Sequence, residues 1–201
     1  QGSAYIFVRS GTSWTQQAKL VASGGAANDL FGWSVSISAD GAYAVIGARG
    51  DDIGANGDQG SAYIFVRSGT SWTQQAKLVA SDGAASDQFG YSVSISADGA
   101  YAVIGARNDD TGTNTHQGSA YIFVRSGTSW TQQAKLVASD GAASDQFGYS
   151  VSISADGAYA VIGARNDDTG TNTHQGSAYI FVRSGTSWTQ QAKLVASDGA
   201  A

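Results

Sequence analysis

One passage of residues recurs through this chain and constrains it more than any other feature. The segment "QGSAYIFVRSGTSWTQQAKLVAS" starts at Gln1, Gln59, Gln117 and Gln175, each start 58 residues after the one before. Ser81–Ala138 and Ser139–Ala196 are identical. Ser23–Ala80 differs from them only at Gly24, Asn28, Leu30, Trp33, Gly50, Ile53, Ala55, Gly57 and Asp58. A fixed period of this kind means one supersecondary unit per period, with units burying their apolar faces on one another.

Each unit reads as four strands. "YSVSISA" (91–97) alternates Val93 and Ile95 with Ser92, Ser94 and Ser96, the period-2 pattern of a strand. "ADG" is a tight-turn signal, and "AYAVIGA" (100–106) returns as the second strand of a hairpin. A polar loop, "RNDDTGTNTHQG" (107–118), leads to "SAYIFVR" (119–125). "SGTS" then turns the chain into "WTQQAKLVA" (130–138). Of the nine differences between units, only Trp33 lies in a strand-like segment. Side chains grow along this order, from Ser, Ala, Gly, Val and Ile to Tyr121, Phe123, Trp130 and Leu136. Small-to-large packing suits a propeller blade, whose inner strands crowd the axis while its outer strands face wider gaps.

Composition agrees and excludes several classes. Hydrophobic residues make up 42% and charged residues 13%, so the chain is neither disordered nor a charged helix. Gly numbers 27, and every acidic residue is Asp. With Ser, Thr, Val and aromatics this is an all-β composition. The net charge is −5, and the two Arg and one Lys of each unit are spread apart, which argues against nucleic acid as a partner. No apolar run approaches the roughly 20 residues of a membrane helix, so no membrane insertion is expected. The absence of Cys excludes disulfides and thiol chemistry.

The stretches "DQFGYSVSIS", "AVIGARNDD" and "GSAYIFVRSGTSWTQQAKLVASDGAA" together resemble the bacterial branch of the FG-GAP repeat, the repeat that also builds the integrin α-subunit propeller. Phe89-Gly90 is the Phe-Gly of the motif, and Gly105-Ala106 its "GA", with Arg107 where the family often has Pro. The resemblance covers essentially the whole chain. It implies propeller blades on extracellular or cell-surface proteins and does not imply an enzyme. Calcium-binding integrin repeats carry a D-x-D-x-D-G loop between the first two strands. Here that loop is "SADGAY" with the single Asp98, so the usual calcium ligands are missing there.

The expected fold is all-β, with tandem four-stranded antiparallel blades of the propeller type, three and a half in this chain. The expected parts are an outer half-blade at 1–29 and blades at 30–87, 88–145 and 146–201, all of one array. Three and a half blades do not close alone, and unpaired edges invite other chains. The expected partners are therefore copies of the chain itself or further repeats of a longer chain.

Candidate chemistry is sparse. Asp51 and Asp52 with Asn56, Asp109 and Asp110 with Asn114, and Asp167 and Asp168 with Asn172 form oxygen-rich loops. Calcium takes roughly six to eight oxygens, which such loops could supply. Equally, Asp caps turns by accepting from nearby backbone N–H groups. Both readings stand at this level, and apart from this calcium no cofactor is expected. Trp14, Trp72, Trp130 and Trp188 open the outermost strands, either as platforms for glycans or as packing between blades. His116 and His174 lie in the polar loop without a nucleophile at a known spacing. Arg49-Gly50-Asp51 becomes Arg-Asn-Asp in the other units and reads as a structural variation. Asp82, Asp87, Asp140 and Asp145 read as turn formers, and Phe31, Phe89 and Phe147 as core. The functional expectation is a non-catalytic, extracellular structural or adhesive protein that assembles through its blades. The alternative is a recognition propeller that binds glycans or depends on calcium.

Overall fold

The structure is a computed structural model and describes residues 1–199. It contains fourteen strands: β1 (Ala4–Ser10), β2 (Ser13–Leu20), β3 (Ser34–Ile37), β4 (Tyr43–Ala48), β5 (Ser61–Ser68), β6 (Ser71–Leu78), β7 (Phe89–Ile95), β8 (Tyr101–Ala106), β9 (Ser119–Ser126), β10 (Ser129–Leu136), β11 (Phe147–Ile153), β12 (Tyr159–Ala164), β13 (Ser177–Ser184) and β14 (Ser187–Leu194). They form three four-stranded antiparallel sheets, β3–β6, β7–β10 and β11–β14, and a two-stranded sheet β1–β2. No helix among the described residues is long and apolar enough to cross a membrane.

The sheets stack as blades. The first strands β3, β7 and β11 lie side by side, while the fourth strands diverge and barely touch. Strands that are small near the axis and large at the rim fill that wedge. "YAVIGA" is apolar on both faces because both faces are covered. Val45 packs toward β7–β10, whereas Ala44, Ile46 and Ala48 pack toward β1–β2. The cores therefore lie between blades, and β3–β6 and β7–β10 each supply half of two of them.

The Ser face of the first strand is also used. The Ser36 hydroxyl accepts from the Ile95 N–H at 3.3 Å, and Ser94 accepts from Ile153 N–H at 3.2 Å. The period-2 alternation thus separates two blade interfaces rather than core from water. In the "ADG" turn the Asp98 carboxylate accepts from Ala100 N–H at 3.0 Å, and Gly99 takes a φ of +65°. The hydroxyl of Ser96 donates to Asp98, and this bond is the main cause holding the carboxyl below its ordinary range.

Each outer hairpin carries a one-residue bulge. Phe65 pairs with Gln74 and Ile64 with Ala76, leaving Gln75 extra. A bulge re-aims a side chain. Here it turns Gln75 toward the next blade, where its Oε1 accepts from Trp130 Nε1 at 3.0 Å.

Candidate functional site: the blade interface and its open ends

The Phe-Gly pair sits in a seat made by the preceding blade. Phe89 is fully buried and meets Tyr121 and Phe123 edge-on, at 5.4 and 6.0 Å between ring centres. Its backbone N–H donates to Gln59 O at 2.9 Å, beside a parallel bridge to Gly60. The Gly90 carbonyl accepts from the Ser34 hydroxyl at 2.9 Å and lies 2.0 Å from where a Cβ on Gly47 would stand. Only glycine lets the two backbones approach this closely. Phe147-Gly148 repeats the arrangement on Gly105, Gly118 and Ser92. Phe31 makes the first part of it with Gln1 and Gly2 of the half-blade.

Each full blade also carries an ionic node around a buried carboxylate. Asp109 is packed against Lys135 at 2.7 Å and accepts a hydrogen bond from Ser119. Lys135 also reaches Asp82 at 2.7 Å. In the following unit Lys193 meets Asp167 and Asp140, and Ser177 donates to Asp167. In the first unit Lys77 meets Asp51, which also accepts from Ser61 and from the Tyr63 hydroxyl. Burial pushes the pKa of the Lys135 ammonium down, but the hydrogen bonds it donates to Asp109 and Asp82 outweigh it, and the net shift is upward. Burial is also the chief cause that drives the phenols of Tyr121 and Tyr179 well above their ordinary range. Asp82 and Asp140 are therefore ion-pair partners across a blade interface, not only residues of a turn. Burial raises their carboxyls, but the hydrogen bond and charge of the lysine, with the Tyr179 hydroxyl at Asp140, outweigh it and the net shift is downward.

The other half of each Asp pair faces elsewhere. Asp110 accepts from the His116 backbone N–H at 2.7 Å, Asp168 likewise from His174, and Asp52 from Asp58 at 2.9 Å. Asn114 donates to Gln117 and to the Gly141 carbonyl, Asn56 to Gln59 and Gly83, and Asn172 to Gln175 and Gly199. The pattern is that of turn and loop closure. Among the described residues no cluster of three or more His or Asp side chains stands in metal-holding geometry. His116, His174 and Asp58 have φ of +53°, +55° and +52°. Asp and His are among the residues that tolerate this left-handed conformation. Asp51 of the Arg-Gly-Asp stretch is buried in its ionic node.

Asp87 is the carboxyl with the largest upward displacement. It accepts from Ala84 N–H at 2.6 Å, as a turn former does, yet burial pushes its pKa up to about 6. The same cause raises Asp145.

The repeated tryptophans divide by neighbour. Trp72, Trp130 and Trp188 donate from Nε1 to Gln17, Gln75 and Gln133, each on the bulge of the preceding blade, at 3.1, 3.0 and 2.9 Å. Trp14 meets no preceding blade among the described residues and is 64% exposed. A second aromatic set runs across the blades: Trp33, Tyr91 and Tyr149, with ring centres 5.6 and 5.0 Å apart. Arg49 lies 3.9 Å from the Trp33 ring centre and Arg107 4.1 Å from that of Tyr91. This column was available in the sequence only as a register, the residue after each Phe-Gly paired with the Arg of each "GAR".

At the two ends of the array the same residues are uncovered. Val45 and Val103 are fully buried, but their counterpart Val161 is 39% exposed, and Leu194 is 50% exposed where Leu78 and Leu136 are buried. A cavity of about 400 Å³ opens beside Ser150, Gly163, Gly176 and Leu194, the residues that would form the next Phe-Gly seat. At the other end an apolar groove of about 390 Å³ runs between Tyr5, Phe7, Val35 and Ile37, where the half-blade has no inner hairpin.

The FG-GAP repeat family model matches three times, over residues 14–65, 72–123 and 130–181. Among curated proteins none matches the chain. Among solved structures, the crystal structure of Saccharomyces cerevisiae Sqt1 is similar in fold, with a TM-score of 0.55 at 10% identity. The similarity covers 87% of this chain and 38% of that one.

Proposed function

Since the chain belongs to the FG-GAP repeat family, we propose that it is a non-catalytic structural and adhesive protein acting outside the cell, assembling through blade–blade contacts into a larger propeller or a filament. One observation carries this reading. The described blades leave two apolar faces uncovered that match faces covered where one blade meets the next, so each is fit to receive a further blade, from another copy or from further repeats of a longer chain. Exposed apolar surface of this kind marks an interaction site. Near-identical units present the same interface at each joint, which suits extension by addition.

The non-catalytic part draws support from the roles of the polar groups. Asp51, Asp109 and Asp167 are paired with lysines, and Asp52, Asp110 and Asp168 accept from backbone N–H groups of their own loops. The extracellular setting rests on the family. Sedimentation velocity of the purified chain over a wide concentration range, with electron microscopy of the same samples, tests assembly. Species that grow with concentration and show a blade-sized repeat support it. A single sedimenting monomer at every concentration refutes it.

A further inference from the structure

A column of stacked rings and cations crosses the inner hairpins of successive blades. Trp33, Tyr91 and Tyr149 each follow a Phe-Gly pair, and Arg49 and Arg107 each follow the last residue of a second strand. The two strands of a hairpin are antiparallel, so ring and guanidinium meet at the same end of it. The first strands lie side by side, which sets the rings 5.6 and 5.0 Å apart. Arg49 stands 3.9 Å from the Trp33 ring centre and 5.8 Å from that of Tyr91. Arg107 stands 4.1 Å from Tyr91 and 5.7 Å from Tyr149. Each guanidinium is thus shared by the rings of two successive blades. All five side chains belong to residues that keep part of their surface open to solvent.

Neither cation has an anion. Every ion pair among the described residues uses a lysine, and none uses Arg49 or Arg107. The carboxylates next to them in sequence are engaged elsewhere, Asp51 with Lys77, Asp109 with Lys135 and Asp110 with the His116 N–H. Arg107 gives its Nε to Gln88 Oε1 at 2.9 Å. In the preceding unit Leu30 takes the place of that glutamine, and Arg49 Nε is buried with no partner. Both guanidiniums flank the Tyr91 ring, so they stand within a Debye length of each other, about 10 Å at 0.1 M salt, and repel. A bound anion removes that repulsion. We propose that the column is a binding site for an acidic polysaccharide, whose carboxylate or sulfate groups lie along the row of guanidiniums. Arg presents a planar fork of donors that meets such groups two bonds at a time. The column supplies one fork per blade at a fixed spacing, and a polymer of regular repeats engages several forks at once. Nucleic acid fits less well, because its bases need open ring faces to stack on. Tyr91 is hemmed in by Arg49, Arg107 and the rings of Trp33 and Tyr149. The site does not depend on assembly, since one copy carries the whole column.

The test titrates the 201-residue chain with polygalacturonate and with dextran sulfate by isothermal calorimetry, at about 0.1 M salt so that charge is only partly screened. The first probe offers carboxylates and the second sulfates. Neutral dextran, a poly-dT oligonucleotide and polyglutamate are the comparisons. The expected result is binding of at least one acidic polysaccharide, no binding of dextran, and weaker binding of the other two polyanions. Arg49→Gln and Arg107→Gln should each weaken the polysaccharide at least about tenfold. Arg9→Gln removes the same charge from an exposed outer hairpin and should leave binding unchanged. Melting curves confirm that each variant folds, and Arg49→Gln breaks no hydrogen bond at Nε. No binding of either polysaccharide, or binding that survives both column substitutions, overturns the site. Tighter binding of poly-dT or of polyglutamate overturns the glycan as its ligand. Sedimentation of the same samples keeps the two readings apart. A chain that assembles but binds no polysaccharide overturns only this site, and a monomer that binds it overturns only assembly.

Discussion

The same substitution in two identical units isolates what the seat contributes. Gly105 and Gly163 share their sequence surroundings over a whole period. A Cβ on either would stand 2.4 Å from the hydroxyl of its own blade's serine, Ser92 or Ser150. Only at Gly105 does it also stand 2.0 Å from the carbonyl oxygen of Gly148. Ordinary contact begins at 3.4 Å, so that carbonyl must retreat about 1.4 Å. The retreat breaks the 2.8 Å bond from Ser92, worth about 1 kcal/mol. It also prises Phe147 from its seat, an overpacking cost of about 1–3 kcal/mol. Replacing glycine returns roughly 0.5–1 kcal/mol through the unfolded chain. The net expectation for Gly105→Ala is a loss of about 1–3.5 kcal/mol, against less than about 1 kcal/mol for Gly163→Ala. Urea titrations followed by tryptophan fluorescence, at concentrations where the chain is monomeric, give both values from their midpoints. Equal losses would refute the seat as the origin of the glycine.

Three further expectations follow from the ionic and aromatic contacts. Asp87 has a folded pKa of about 6, above its ordinary value. The folded state thus holds its proton longer than the unfolded one, and stability falls as pH rises from about 4 to about 6. Asp82, Asp98 and Asp140 are shifted down, so their contribution is present above the ordinary carboxylate pKa and is lost as pH falls below it. Thermal melts should peak in the mildly acidic range, and Asp87→Asn should flatten the decline on the alkaline side of that peak. Lys135→Met leaves Asp109 buried without its cation and should cost about 3 kcal/mol at neutral pH. Lys19→Met should change little, because Lys19 lies beside Tyr5 and makes no ion pair among the described residues; comparing the two by chemical denaturation checks the node. Trp130→Ala should cost about 3 kcal/mol through lost packing and the bond to Gln75, and Trp14→Ala less than about 1 kcal/mol.

The strands, their order within a blade and their small-to-large gradient were legible because they depend on local pattern. Val93 and Ile95 alternate with serines, "ADG" turns, and a run such as "YAVIGA" has no face fit for water. Phe89 was legible as core and its glycine as a close approach, and both descriptions hold. Less was legible at the candidate site. Asp82 looked like a turn former, yet its carboxylate pairs with Lys135, 53 residues away. The tryptophans had two readings, and the bulged Gln75, 55 residues from Trp130, gives that side chain its hydrogen-bond partner. The histidines follow from a backbone angle that no residue pattern announces.

What the sequence determined by itself is therefore the unit. Hydrophobic period, turn chemistry and side-chain size act within one period, so identical periods must fold into identical blades. What only the tertiary structure decided is the fate of each copy. Val45, Val103 and Val161 have the same local sequence and the same place in a strand, yet the first two are fully buried and the third is not. Burial, ion pairing and pKa belong to the neighbouring blade, and a local pattern carries no information about whether that neighbour is present.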